Sequence, residues 1–392
     1  MNDANATGHI EVSVVIPCLN EALTVGNCVR RAVGAITGGG LRGEVIVADN
    51  GSTDGSRELA AAAGAKVVPI PQRGYGSAIA GGIAASSGRF LVMGDADGSY
   101  DFAEVPLLVA RLREGHDLVQ GCRFPRGGGR IEADAMPFMH RWLGNPVLSF
   151  LARIMFRTRL NDVYCGLRGF TRDFYDRAGL RCTGMEFATE MIIKAAEMEV
   201  PTSEIPIVLA KDGRQGRKSH LRTFRDGWIT LRLFLLCSPD WLFLIPGFTL
   251  MAVGCLGAGL SLCAVTVGPA TLGVHTLLVS SFLVLLGVQC CFLGIYAHTF
   301  AMVKGLRPAG AFITGFHRWF NLEKSLIGSA VLCLTGIAFV GYIFLEWRGS
   351  GYGPLSYAHS MRWVISGVAL AALSVHIAFG SFMVSVLGMP SR

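Results

Sequence analysis

The chain has 392 residues, 51% of them hydrophobic and only 16% charged, with a formal net charge of +7. A pI near 8.9 and a mean hydropathy of +0.46 set the composition far from that of an ordinary soluble protein. Nucleic-acid binding is disfavoured as well, because the basic residues crowd between Lys211 and Arg232 with no aromatic-interleaved basic face or recognised binding motif.

The apolar residues are unevenly distributed. Up to about residue 220 the chain alternates apolar and polar segments, and from Trp241 onward long uncharged runs dominate. The first segment, MNDANATGHIE, has no basic n-region and no apolar core, so no cleaved signal peptide is expected. Residues 1–11 read as a flexible terminus. Eleven cysteines form no C-x-x-C pair, and Cys255, Cys263, Cys290, Cys291 and Cys333 lie inside apolar runs, so all are read as reduced small hydrophobes.

Val12 to Ile16 reads as a buried strand stopped by Pro17, and Cys18-Leu19-Asn20-Glu21 as a loop leading to a helix through roughly Ala35. A second strand, Val45 to Ala48, ends at Asp49. Asn50 to Asp54 is a turn with good helix N-caps, followed by a helix to about Ala63. Ala65 to Ile70 gives a third strand. The stretch RGYGSAIAGG then opens a small-residue helix. Its Gly74, Gly76 and Gly81 superficially match a dinucleotide fingerprint, but that fingerprint belongs in the first βα turn, so a nicotinamide or flavin site is disfavoured. Strands and helices alternating at this spacing predict a Rossmann-like, mostly parallel α/β sheet. Right-handed crossovers then open the strand ends bearing Pro17, Asp49 and Asp95 on one edge.

The fourth strand, Phe90 to Met93, is followed by Gly94 and then by Asp95 and Asp97, separated by one residue. In open α/β sheets ligands bind at the strands' carboxyl ends. Two hard carboxylates there suit Mg²⁺ or Mn²⁺ with a substrate's phosphates, and the alternative is a solvated Asp/Gly turn. A helix from about Glu104 to Glu114 and a strand Asp117 to Gly121 continue the domain. Phe124 to Ala135, with three consecutive glycines, reads as a mobile loop, and a helical segment carrying Arg141, Trp142, Asn145 and Arg153 follows. Asp162 to Tyr175 reads as loop, strand and loop. Glu186 and Glu190 share a helix face at i, i+4, where they can pair with nearby arginines. Ile205 to Leu209 gives the last strand of a domain spanning 12–211.

Residues 212–240 form a basic, amphipathic juxtamembrane segment, in which Leu221, Phe224, Trp228, Leu231 and Leu235 recur at helical spacing beside Arg222, Arg225 and Arg232. That pattern predicts a helix in the membrane interface, against the alternative of a helix packed on the soluble domain. Four apolar runs fill 241–392: Trp241 to Val267, Val274 to Val303, Ser325 to Leu345 and Trp363 to Leu387. Each exceeds the roughly 20 residues a bilayer core requires. The connection holding Lys304, Arg307, Arg318 and Lys324 is the basic one and should be cytoplasmic, which places both chain ends and the first domain there. No charged residue lies near a midplane, and His298 and His376 have no evident acidic partner, so transport is disfavoured. Gly254, Gly257, Ala258 and Ser261 offer a face for helix packing or for a homo-oligomer.

Together VSVVIPCLNE, VIVADNGSTDG and GDADGSYD resemble the nucleotide-sugar half of family-2 inverting glycosyltransferases with the GT-A fold. The later DVYCGLRGF and the basic GRKSHL are similar to the dolichyl- or polyprenyl-phosphate hexose synthases, and the likeness spans about residues 12 to 235. It implies transfer of a hexose from a nucleotide-diphosphate sugar to polyprenyl phosphate at the membrane, with UDP-glucose favoured over GDP-mannose. It implies that Pro17, Leu19 and Glu21 line the base pocket, that Asp49 bonds base or ribose, and that Asp95 and Asp97 hold the metal on the diphosphate. Arg123 and Arg141 match positions where the family places cations on the acceptor phosphate. Arg217, Lys218 and Ser219 would face headgroup or diphosphate, and Asp162 matches the family's base or positioning aspartate. Two positions depart from the archaeal mannosyl relatives: Ser99 stands where some carry a glutamine, and Glu186 near a lysine. The rival readings are a processive polysaccharide synthase, whose Q-x-x-R-W signature is missing, a silent membrane scaffold, and a glycolipid flippase.

Overall fold

In a computed structural model, which describes residues 9–213, 223–303, 314–316, 318 and 321–389, the chain divides into two compact units, 1–237 and 238–392.

The first unit is built on a seven-stranded sheet: β1 (Val12–Cys18), β2 (Gly43–Asp49), β3 (Lys66–Pro69), β4 (Phe90–Met93), β5 (Leu118–Cys122), β7 (Arg168–Thr171) and β8 (Thr202–Pro206). Their order is β3-β2-β1-β4-β7-β5-β8. All neighbours are parallel except β7, which runs antiparallel to both β4 and β5. The central strands are apolar because both faces are covered. Val12, Val14 and Ile16 point into one cluster with α1 (Val25–Gly38) and α4 (Val105–Arg113). Val15, Leu91 and Met93 point into the other, with α3 (Tyr75–Ala84), α5 (Asn145–Phe156), α6 (Arg172–Ala178) and α7 (Phe187–Glu197). The remaining crossover helix, α2, covers Ser56–Ala62.

Three local expectations are corrected. Pro17 does not stop β1, for it pairs with Ala48 and the strand continues to Cys18 opposite Asp49. The β4 pairing has already ended at Val15 opposite Met93, so the missing N–H costs no ladder bond on that side. The glycine-rich stretch after Phe124 is not an unstructured loop. It makes a tight turn and a two-residue strand β6 (Arg130–Ile131) parallel to β9 (Val208–Leu209). A Cβ on Gly129 would fall 2.0 Å from the Cys122 carbonyl oxygen, so only glycine lets the chain fold back there. After β7 comes helix α6 rather than loop, because the Thr171 side chain accepts from the Phe174 N–H and caps it.

Helix α8 (Thr223–Leu236) belongs to the first unit. Its Phe234 is buried in the second cluster and meets the Phe156 ring edge-on at 5.4 Å, while Trp228 and Leu236 stay exposed. The packed reading therefore holds for the face bearing Phe234, and the face bearing Trp228 and Leu236 is left exposed.

Among the described residues the second unit has four helices long and apolar enough to cross a membrane: Asp240–Leu262, whose regular part is α9 (Ile245–Leu262), then α10 (Val274–Val303), α11 (Leu322–Gly349) and α12 (Tyr357–Leu387). Small residues let their backbones approach. A Cβ on Gly247 would meet the Gly287 carbonyl at 2.9 Å, one on Gly254 the Ser280 carbonyl at 2.7 Å, and one on Gly336 the Gly367 carbonyl at 2.5 Å. The small-residue face at Gly254 and Gly257 is thus used for packing within the chain. His298 does have an acidic partner, since its Nε2 lies 2.8 Å from Asp240 Oδ1, whereas His376 bonds only the Ala372 carbonyl of its own helix.

Candidate active site

The parallel register brings the carboxyl ends of β1, β2 and β4 to one edge, with Cys18 opposite Asp49 and β4 ending at Met93. Asp95 and Asp97 follow directly, and both are half-buried. The phenol of Tyr75, first residue of α3, donates to Asp95 Oδ1 at 2.9 Å. Burial and the nearby Asp95 charge push this phenol well above its ordinary pKa, so it stays a donor. The backbone N–H and hydroxyl of Ser99 donate to Asp97 Oδ1 at 3.0 and 2.6 Å, a local turn that aims the carboxylate. Ser99 thus supports Asp97 through its hydroxyl, where the sequence offered only a departure from relatives.

Gly166 closes the site from the DVYCGLRGF stretch. A Cβ there would lie 2.5 Å from Asp95 Oδ2 and 2.9 Å from the Tyr100 ring, so the backbone reaches the carboxylate only without a side chain. The Gly166 N–H in turn donates to the Tyr100 hydroxyl at 2.9 Å. The carbonyls of Asp97 and Ser99 accept from Gly213 and Ala210 at 2.8 and 3.0 Å, tying the chain that leads into the basic run to the acidic loop. Arg217, Lys218 and Ser219 lie outside the described residues.

On the β1–β2 side, Pro17 is half-buried, Leu19 is 37% exposed and Glu21 is buried. Asn20, left-handed at φ 58°, accepts from the Thr53 N–H at 2.9 Å, and the hydroxyls of Ser52 and Ser56 accept from the N–H groups of Asn20 and Glu21 at 2.9 Å each. These bonds lock the two rim loops together. Asp49 is fully buried and spends its oxygens on its own turn: Gly51 N–H at 3.1 Å, Ser52 N–H at 3.2 Å and Arg57 Nε at 2.5 Å. Burial works to raise its pKa, but the donors of Ser52, Arg57 and Gly51 win and hold it below the usual carboxylate range. Asn50, which the sequence reading passed over, bonds the carbonyls of Ile70 and Gln72 at 3.1 and 2.8 Å and receives the Gly74 N–H at 2.8 Å. It fixes the loop from which Tyr75 reaches Asp95.

Arg123 and Asp162, assigned separate roles by the resemblance, hold each other. The guanidinium donates to Asp162 from Nε at 2.7 Å and from the far amino group at 2.8 Å, and the Arg123 N–H adds a third bond at 3.1 Å. Their side chains are 7% and 0% exposed. Burial alone would lower the arginine's pKa, but Asp162 more than offsets it and the group stays charged. Glu204 on β8 steadies the Asp162 loop by accepting from the N–H groups of Asn161 and Asp162 at 2.6 and 3.0 Å. Arg141 sits on a wide helical turn, His140–Gly144, with its guanidinium 5.6 Å from the Trp142 ring. Glu190 accepts from the backbone N–H groups of Arg181 and Cys182 at 2.9 and 2.8 Å, a loop-closing role rather than an arginine pair, and Glu186 stands at the start of α7. Arg168, fully buried, donates to the carbonyls of Cys165 and Ala188 at 2.8 Å each.

All eleven cysteines are free, and burial pushes Cys18 to about 11 and Cys28 to about 12, so neither thiol is reactive at neutral pH. Among the described residues no group of three His, Cys, Asp or Glu side chains could hold a metal. The Asp95 and Asp97 pair, hard oxygen donors on a rim, fits an ion such as Mg²⁺ or Mn²⁺ that takes its other ligands from water and phosphate.

Comparison with known proteins bears on this arrangement. Residues 13–179 match the model for glycosyl transferase family 2, and residues 295–388 match the model for the glycosyltransferase family 2 C-terminal transmembrane region. The chain is 34% identical over 379 residues to the low-salt glycan biosynthesis hexosyltransferase Agl6 of Haloferax volcanii, covering 96% of this chain and 89% of that protein. It is 29% identical over 198 residues to a dolichyl-phosphate hexose transferase of the same organism, covering 50% of this chain and 82% of the other. Among solved structures, glucosyl-3-phosphoglycerate synthase from Mycobacterium tuberculosis matches with a TM-score of 0.43 at 22% identity, over 58% of this chain and 77% of that one. The chain therefore belongs to glycosyl transferase family 2: it is a glycosyltransferase with a GT-A domain and a C-terminal membrane region.

Proposed function

We propose that this enzyme transfers a hexose, glucose from UDP-glucose in preference to mannose from GDP-mannose, to polyprenyl phosphate at the cytoplasmic membrane face, with inversion. The observation that carries the reading is the pair Asp95 and Asp97, braced by Tyr75 and Ser99 at the sheet rim of a chain that also carries four membrane-spanning helices. The names of its relatives, a hexosyltransferase and a dolichyl-phosphate hexose transferase, support the substrate classes.

Asp95 and Asp97 would hold Mg²⁺ or Mn²⁺, which when bound neutralises charge on a departing nucleoside diphosphate. The chain's own residues bind and orient. Pro17 and Leu19 offer apolar contact to the base, beside a turn that Asp49 and Arg57 keep rigid. An acceptor phosphate with a second pKa of about 6 is already mostly dianionic at neutral pH, so it needs positioning and exclusion of water rather than a base. Asp162 accordingly acts as a positioning residue that holds Arg123 charged and fixed, and Arg141, Arg217, Lys218 and Ser219 supply further donors toward phosphate or headgroup. The cytoplasmic orientation rests on the basic connection between α10 and α11.

The test is a screen of UDP- and GDP-sugars with a short polyprenyl phosphate and Mg²⁺ or Mn²⁺, run on the purified full-length protein. Product from UDP-glucose with a metal requirement supports the proposal. Turnover with GDP-mannose alone overturns the donor assignment, and no lipid-linked product with any donor overturns the acceptor.

A further inference from the structure

The peptide that joins Cys165 to Gly166 is held at both of its polar ends by buried side chains. Its carbonyl accepts from Gln120 Nε2 at 2.9 Å and from the Arg168 guanidinium at 2.8 Å, and its N–H donates to the Tyr100 hydroxyl at 2.9 Å. Gln120 on β5 and Arg168 on β7 stand directly opposite each other in the antiparallel ladder. On its other side Arg168 pairs with Met93, the last residue of the strand that leads to Asp95. Gln120 and Arg168 are completely buried and Tyr100 nearly so. Three bonds from three separate segments fix the orientation of one peptide unit.

Stability alone gives no reason for this choice of residues. A buried guanidinium is expensive to desolvate and is ordinarily matched by a carboxylate. Arg168 instead donates to the carbonyls of Cys165, Ala188 and, at 3.5 Å, Val163. Its Nε and the Gln120 Oε1 have no partner among the described residues. Burial accordingly pushes the Arg168 pKa below the ordinary arginine value. Two apolar residues at these opposed positions would avoid both penalties.

What the arrangement does fix is one wall of the acidic pair. A Cβ on Gly166 would fall 2.5 Å from Asp95 Oδ2, while Tyr75 donates to Oδ1 at 2.9 Å. A turned 165–166 peptide would shift that wall and let the carboxylate swing. We propose that Gln120, Arg168 and Tyr100 are positioning residues that hold the Cys165–Gly166 peptide against Asp95 and so fix the direction in which its carboxylate meets a divalent ion. The inference rests on Asp95 and Asp97 seating that ion. Groups that orient a ligating side chain from behind commonly change metal affinity about 10–100-fold when removed.

The test is Mn²⁺ binding, followed by electron paramagnetic resonance, to full-length protein in detergent carrying Arg168→Met or Tyr100→Phe. Metal-free UDP binding and thermal unfolding are measured alongside. Each substitution should weaken Mn²⁺ binding about tenfold and leave metal-free UDP affinity within about twofold of the parent's. Because both act on one peptide, the double variant should fall well short of the product of the two single losses. A variant that melts lower yet binds Mn²⁺ as the parent does makes its residue purely structural and overturns the proposal. Equal losses of Mn²⁺ and metal-free UDP binding overturn it too, as does full multiplicativity in the double variant. Should Arg168→Met not fold, Gln120→Met takes its place under the same criteria, since the bond to the Cys165 carbonyl is the one its side chain makes among the described residues. A parent that binds no Mn²⁺ would overturn the metal assignment of Asp95 and Asp97 and this inference with it, so failure of that reading is distinguishable from failure of this one alone.

Discussion

Replacing Asp162 by alanine should destabilise the first unit more than any other single change at the site. The substitution strips the buried Arg123 of bonds at 2.7 and 2.8 Å and frees the Arg123 N–H, leaving a guanidinium that is 7% exposed without its counter-charge. Removing one partner of a buried pair costs about 3–5 kcal/mol, most of it the penalty of the stranded charge. For a unit of this size each kcal/mol shifts Tm by roughly 2–4 °C, so the loss should be about 6–20 °C. Thermal unfolding of the full-length protein in detergent, read together with proteolysis of the first unit, measures it. The double replacement Arg123→Met, Asp162→Leu should recover most of the loss, because apolar groups of similar volume leave no charge behind. A carboxylate kept available for catalysis would behave differently, its removal abolishing turnover and leaving stability alone. If Asp162→Ala melts within about 2 °C of the parent, the buried-pair reasoning is refuted.

Three further expectations can be checked together. Gly166→Ala puts a Cβ within 2.5 Å of Asp95 Oδ2, so Mn²⁺ affinity followed by electron paramagnetic resonance should fall about tenfold or more, about 1.4 kcal/mol, with the fold intact; unchanged affinity would remove Asp95 from the metal. Asp49 has a depressed pKa in the folded chain, so its contribution is fully present above the unfolded value of about 3.9 and is lost as pH falls through the lower folded value. Asp49→Asn should therefore flatten the acid limb of a stability–pH curve, and an unchanged acid limb contradicts the assignment. Gly287→Val drives a side chain into the Gly247 carbonyl, 2.7 Å from the new Cβ, and should lower the temperature at which buried Cys291 becomes reactive to a thiol dye.

Much of the nucleotide half was legible because its signals are local. Short apolar runs such as Val12 to Ile16 and Phe90 to Met93 are strands buried on both faces, and the acids following them had to emerge at the strand ends. The four long apolar runs read equally directly as spans. Partnerships across the chain were not legible. Arg123 and Asp162 are 39 residues apart, and nothing in either neighbourhood says that one will consume the other's bonds. Tyr75 reaches Asp95 only because Asn50 fixes the intervening loop, a link through three separate segments. The apolar positions of α5 were visible in sequence, but a helix with two apolar stripes does not reveal which one the core takes. Pro17 misled because its cost depends on whether a neighbouring strand is still present at that level.

The central claim is that Asp95 and Asp97 seat a divalent ion on a nucleotide-sugar's diphosphate. Its most direct measurement is Mn²⁺ binding and glucosyl transfer to a short polyprenyl phosphate by Asp97→Asn, in full-length protein shown to insert in the membrane and to melt as the parent does. The account predicts loss of transfer with Mn²⁺ affinity weakened tenfold or more, about 1.4 kcal/mol. Full transfer activity with undiminished Mn²⁺ binding would contradict it.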